Sequence, residues 1–152
     1  MLFLFCSKQI VWSSMKLIGL DVGTVRIGIA TSDILQILAT PYEVYKRRTL
    51  YLDARYIVEL AEKLSAQKIV VGLPLKLDGT EGDSAKMARE LAGKIAEHTS
   101  LPIVFQDERL STVSAERILI ETGTRRKERK GQVDQIAATI ILQNYIDKTK
   151  HN

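Results

Sequence analysis

The sequence predicts an α/β domain: a mixed five-stranded sheet, in which an antiparallel meander joins parallel strands, flanked by helices. Three observations predict it. Short apolar segments follow one another closely in the first third of the chain. Segments of helical apolar spacing and short apolar runs then alternate to the end. The 152 residues, 45% of them hydrophobic, suit one ordinary domain with a real core.

The elements follow in order. Lys16 to Asp21 reads as a buried strand, with Leu17, Ile18 and Leu20 apolar, and Gly23 ends it. Val25 to Thr31 is a second apolar run. Ile37 to Val44 is a third, with Pro41 marking a bend or a free edge. Three such strands in close succession read as a hairpin and meander. Leu50, Ala54, Ile57, Val58, Ala61 and Leu64 then recur at helical spacing. Lys68 to Leu73 is a strand stopped by Gly72 and Pro74, and Asp78-Gly79 marks a turn in the polar stretch after it. A second helix carries Ala88, Leu91, Ala92, Ile95 and Ala96. Pro102 to Gln106 is the last strand. A third helix contains Ala115, Ile118 and Leu119, and a final helix contains Val133, Ile136, Ala137, Ile140, Ile141 and Tyr145. The order is β-β-β-α-β-α-β-α-α. No repeat, low-complexity tract or linker interrupts it, so residues 15–149 are expected to form one domain.

Residues 1–14 stand apart from this pattern. Leu2 to Phe5 is apolar but far too short to span a membrane. No positive charge precedes it and no small-residue cleavage site follows, so a signal peptide is not expected. The segment reads as a poorly ordered leader.

Composition excludes several chemistries. With one cysteine, Cys6, and two histidines, His98 and His151, the chain has no intrachain disulfide and no Cys/His zinc cluster. A cytoplasmic protein is expected, with no membrane association. The net charge of +4 is concentrated: Arg125, Arg126, Lys127, Arg129 and Lys130, less Glu128, account for all of it. A basic loop on a neutral body fits local contact with a polyanion, and equally a solvated charge run.

The acids carry more chemistry. Asp21 ends the first strand, Asp107 and Glu108 end the last, and Asp134 opens the final helix. A charge at the end of a core strand is costly unless it is paired or bound to metal. Strand ends of a twisted α/β sheet converge on one edge, where ligands collect. Carboxylates meeting there suit a hard cation, Mg²⁺ or Mn²⁺, which takes oxygen ligands and keeps several waters. Two such ions can activate a water and stabilise the leaving oxygen of a phosphodiester, without His or Cys. Singly, each acid has another explanation: a turn residue at Asp21, a favourable helix-start charge at Asp134, an ion pair at Asp107 or Glu108. Asp107 and Glu108 are adjacent, so they point to opposite faces and only one is expected to join Asp21.

Several ordered motifs resemble one family. Gly19-Leu20-Asp21-Val22-Gly23-Thr24 is followed by Arg26-Ile27-Gly28. Val71-Gly72-Leu73-Pro74 comes next, then Asp107-Glu108-Arg109-Leu110-Ser111-Thr112. Lys130 and Val133-Asp134-Gln135-Ile136-Ala137-Ala138 close the series. Over residues 15–147 these resemble the YqgF (RuvX-like) family, related to RuvC-type Holliday junction resolvases.

The resemblance implies an RNase H-like fold and a metal-dependent endonuclease, a phosphodiester hydrolase. It implies processing of the 5′ end of pre-16S ribosomal RNA in ribosome biogenesis, with the ribosomal particle as a partner. Holliday junction cleavage in DNA recombination and repair is the alternative. By position, Asp21, Glu108 and Asp134 look like the catalytic metal-binding set. Arg26, Arg109 and the basic run Arg125, Arg126, Lys127, Arg129 and Lys130 are expected to hold phosphates.

Two departures from resolvases weigh against junction cutting. Those enzymes carry an acid after the first helix, where this chain has Val71-Gly72-Leu73-Pro74. They carry a second acid three residues along the last helix, where this chain has Ala137. A resolvase needs two sites, hence a homodimer, whereas an RNA-processing enzyme can act as a monomer. Two readings of other classes compete. Asp21 to Thr24 with Gly28 also resembles the first phosphate loop of actin-like sugar kinases, which need two such domains. A non-catalytic nucleic-acid-binding module would use the basic run but leave the acids unexplained.

Overall fold

The computed structural model describes residues 16–107 and 126–150, with side chains from residue 135 onward in the second segment. The strands are β1 (Lys16–Val22), β2 (Arg26–Ser32), β3 (Ala39–Lys46), β4 (Ala66–Leu73) and β5 (Ile103–Asp107). The helices are α1 (Leu50–Leu64), α2 (Asp83–Ala96) and α3 (Arg126–Lys150). The leader and the helix expected around Ala115–Leu119 lie outside the described residues.

The sheet has five strands in the order β3-β2-β1-β4-β5. β2 is antiparallel to both β1 and β3, while β4 is parallel to β1 and to β5. Four strands therefore run one way, and the C-terminal ends of β1, β3, β4 and β5 share one edge with the start of β2. The mixed sheet expected from the sequence is the one observed.

Three layers result. Ile18, Leu20, Ile27, Ile29, Ile69 and Val71 pack with α1 and α2 on one face. Leu17, Ala30, Ala39 and Val70 pack with Ala138, Ile141, Leu142 and Ile146 of α3 on the other. With both faces covered, β1 and β4 read as near-continuous apolar runs. β3 is an edge strand. Its Pro41 pairs with Ala30 while Glu43 pairs with Ile29, so Tyr42 is the extra residue of a bulge.

Two boundaries differ from expectation. β3 starts at Ala39 rather than Ile37, because Ile37 and Leu38 belong to a capped turn. Asp33 Oδ1 accepts from the Ile37 and Leu38 amides at 2.7 and 2.9 Å, and Gln36 has φ 55°. Both apolar side chains stay more than half exposed. The basic run, expected as a loop, is helical from Arg126: α3 is 25 residues long. Arg, Lys and Glu are good helix formers, and a run of charge carries no signal against a helix. Asp134 is thus not at a helix start but in the third turn of α3. No described helix is long and apolar enough to cross a membrane.

Candidate active site

Alternation along β1 decides which way Asp21 faces. Ile18, Leu20 and Val22 pack with α1 and α2. Leu17 packs with α3. Gly19 faces α3 as well, for a Cβ there would lie 2.7 Å from Leu142 Cβ. Asp21 is the next residue of that parity, so it lies on the α3 side, half-buried, at the C-terminal end of β1. Its partner on β2 is Gly28. One step beyond the pair Leu20–Val71, its neighbour on β4 is Gly72. Both strand neighbours of Asp21 are thus glycines.

The tight turn after β1 is held by backbone. The Gly23 amide donates to the Arg26 carbonyl at 2.8 Å. A Cβ on Gly23 would meet that same oxygen at 2.8 Å, so only glycine allows the turn to close. Arg47 buttresses it, donating through Nη1 to the Gly23 carbonyl at 3.0 Å and through Nε to Asp53 Oδ2 at 2.9 Å.

The direction of α3 brings its early turns to the same edge. At the level of Leu17, Gln143 accepts from the Ala39 amide at 2.8 Å, and the Tyr145 hydroxyl accepts from Lys68 Nζ at 2.8 Å. At the level of Gly19 the helix residues are Ala138 and Leu142. Helix numbers fall as β1 advances, so the two run antiparallel. Asp134 lies one turn before Ala138, about 6 Å along the helix, and Asp21 lies two residues past Gly19, about 6.7 Å along the strand. The α3 backbone at 134 is thereby carried to the level of Asp21, on the same side of the sheet.

β5 decides which way Asp107 faces. Ile103 and Phe105 pack toward α1 and α2, and Val104 packs toward α3. Gln106 therefore faces α3 and Asp107, exposed, faces away from Asp21. Glu108, Arg109 and Arg125 lie outside the described residues, as do the side chains of Arg126, Lys127, Arg129, Lys130 and Asp134. Among the described residues no group of three His, Cys, Asp or Glu gathers.

Gln106 was invisible to motif reasoning. Its Oε1 is buried without a hydrogen-bond partner among the described residues, two strands from Asp21 on the same face. An unsatisfied buried acceptor costs about 1–3 kcal/mol. A carboxylate and an orphaned amide oxygen on one face are the donor type that a hard divalent cation takes. The residues present fit such a group.

Comparison with known proteins places this geometry. The model of the RuvX family, described as Holliday junction resolvase, matches residues 15–148. The chain belongs to the RuvX family. A relative from Syntrophomonas wolfei is 44% identical over 133 residues, covering 88% of this chain and 94% of that protein. One from Acidiphilium cryptum is 46% identical over 132 residues, covering 87% and 84%. Both carry the provisional designation of pre-16S rRNA nuclease. Among solved structures, Thermus thermophilus RuvC in complex with Holliday junction substrate aligns with TM-score 0.59 at 13% identity, over 91% of this chain and 97% of that one. The fowlpox virus resolvase bound to junction DNA aligns with TM-score 0.51 at 12% identity, over 89% and 99%. The fold is RNase H-like. In RuvX terms, the Gly19–Thr24 motif spans the end of β1 and its turn, and Val71–Pro74 ends β4 beside it. The motif at Val133–Ala138 lies on the stretch of α3 that crosses Gly19.

Proposed function

We propose that this RuvX chain is a metal-dependent endonuclease that hydrolyses phosphodiester bonds in structured nucleic acid, with the 5′ end of pre-16S ribosomal RNA as its substrate. The observation that supports the reading is that α3 runs antiparallel to β1 on the Asp21 face, which brings its backbone near residue 134 to the level of Asp21.

Asp21, Glu108 and Asp134 are the residues that would hold the cations. Asp107 faces away from Asp21, which leaves Glu108 as the acid of that pair for the set. When bound, Mg²⁺ or Mn²⁺ supplies an activated water and charge stabilisation at the leaving oxygen. Asp21 would contribute to that site from β1 and Asp134 from α3. Gly28 and Gly72 place no side chain of their own beside Asp21 on the two adjoining strands. Arg26 at the start of β2, Arg109 and the basic first turns of α3 hold neighbouring phosphates, which adds affinity without sequence choice.

RNA processing is favoured over junction resolution by two positions. Val71-Gly72-Leu73-Pro74 and Ala137 stand where resolvases carry further acids, and Ala137 is fully buried. On this reading the enzyme works in the cytoplasm on a ribosomal precursor particle, and a monomer suffices.

The test is one preparation assayed with Mg²⁺ and with Mn²⁺ on precursor 16S RNA and on four-way DNA junctions. Cleavage of the RNA is expected. Asp21→Asn and Asp134→Asn are expected to remove it while keeping the fold, with losses of at least the roughly 10–100-fold typical of disturbing a metal site. Full activity in either variant would exclude that residue from the catalytic set. Junction cleavage alone would reverse the substrate choice.

A further inference from the structure

The strand-end edge that carries Asp21 continues across β2 to β3, and past the end of β3 a cleft opens on the opposite, α1 side of the sheet. Arg26, the first residue of β2, stands directly opposite Lys46, the last of β3. Both lie on the Asp21 face: Gly28 is the partner of Asp21, and Arg26 is two residues further along the same strand. Like charges directly opposite on one sheet face destabilise the pair. Arg26 and Lys46 therefore set two cationic side chains next to each other at the strand-end edge.

Past Lys46 the chain turns through Arg47 and Arg48 into α1. A cleft of about 680 Å³ lies between β3 and α1, lined by Lys46, Arg48, Arg55, Tyr45 and Tyr56 among others. The two tyrosine rings stack at 4.3 Å and 21°. The charges there divide clearly. Arg47 is committed to Asp53 and the Gly23 carbonyl. Glu43 accepts from the Tyr56 hydroxyl, and Glu59 pairs with Arg55 at 3.2 Å. Lys46 and Arg48 are exposed, and neither side chain forms an ion pair among the described residues. The uncommitted positive charge therefore lies at the end of the cleft nearest Asp21.

We infer that a nucleic-acid strand leaving the Asp21 site runs its phosphates past Arg26, over Lys46 and Arg48, and into the β3–α1 cleft. This rests on the nuclease reading above and adds Lys46 and Arg48 as strand-binding residues. They hold backbone phosphates and take no part in bond cleavage.

The experiment uses the full chain and precursor 16S RNA. Lys46→Gln/Arg48→Gln is compared with unaltered protein and with Lys86→Gln/Lys94→Gln, which removes the same charge from α2. Affinity is measured across a salt series, and cleavage rates across a substrate series. Each phosphate contact contributes about 0.7–0.9 to the slope of log affinity against log salt. The cleft pair is expected to flatten the slope by about 1.5 and to raise KM about tenfold with kcat kept. The α2 pair is expected to leave both unchanged. Equal behaviour of the two double variants, with the unaltered protein still cleaving, would remove the cleft and spare the nuclease reading. No cleavage and no salt-dependent binding by the unaltered protein would remove both. Loss of kcat rather than KM would place Lys46 or Arg48 in the reacting centre and overturn the strand-binding role.

Discussion

Single residues set how closely the site is built. Gly19 is the contact point of β1 with α3: an added Cβ would lie 2.7 Å from Leu142 Cβ and 3.2 Å from the Ala138 carbonyl. Gly19→Ala is expected to cost about 1–3 kcal/mol in urea unfolding, as overpacking does. It should also lower cleavage more than stability alone explains, because the displaced helix carries Asp134. Tyr56 gives a pH signature. Burial, aided by its bond to Glu43, pushes its hydroxyl up to about 12. An unfolded tyrosine ionises near 10. The neutral form is thus favoured by the fold, and its stabilisation is present below about pH 10 and lost as pH rises toward 12. Tyr56→Phe should flatten the fall in unfolding free energy over that window. Unchanged steepness would mean that the tyrosine is solvated.

At the scale of elements, the join between β3 and α1 carries a buried polar network. Asp53 is fully buried in the first turn of α1 and accepts from Arg47 Nε at 2.9 Å and the Arg48 amide at 2.8 Å. Asp53→Ala would leave the half-buried Arg47 without its carboxylate and the Arg48 amide without its acceptor, a loss expected to cost about 3 kcal/mol in denaturant unfolding. Since Arg47 also holds the Gly23 carbonyl, the β1–β2 turn should loosen with it.

Elements were legible where period and propensity agreed. α1 was read at its full extent because Ala54, Ile57, Val58 and Ala61 form one buried stripe. β3 was read two residues early because Ile37 and Leu38 are apolar, although the Asp33 carboxylate caps them into a turn. The helical state of the basic run is not legible in the sequence, because clustered charge by itself favours neither helix nor loop.

At the scale of the molecule, the site is a product of topology. Asp21 was recognisable in the sequence as an acid ending an apolar strand. That it shares a face with Gln106 and not with Asp107 depends on sheet parity, which needs the observed register of β5. Lys46 and Arg48 carried no motif at all. They became meaningful only when β3 was found running parallel to β1, with its end on the same edge. The claim beneath the account is that Asp21 and Asp134 bind the same cations. Mn²⁺ binding to the full chain, to Asp21→Asn, to Asp134→Asn and to the double variant tests it most directly. Groups in one site are non-additive, so each single variant should lose at least roughly 10–100-fold in affinity and the double variant little more. Losses that simply add, or a variant that binds Mn²⁺ as the unaltered protein does, would contradict a shared site.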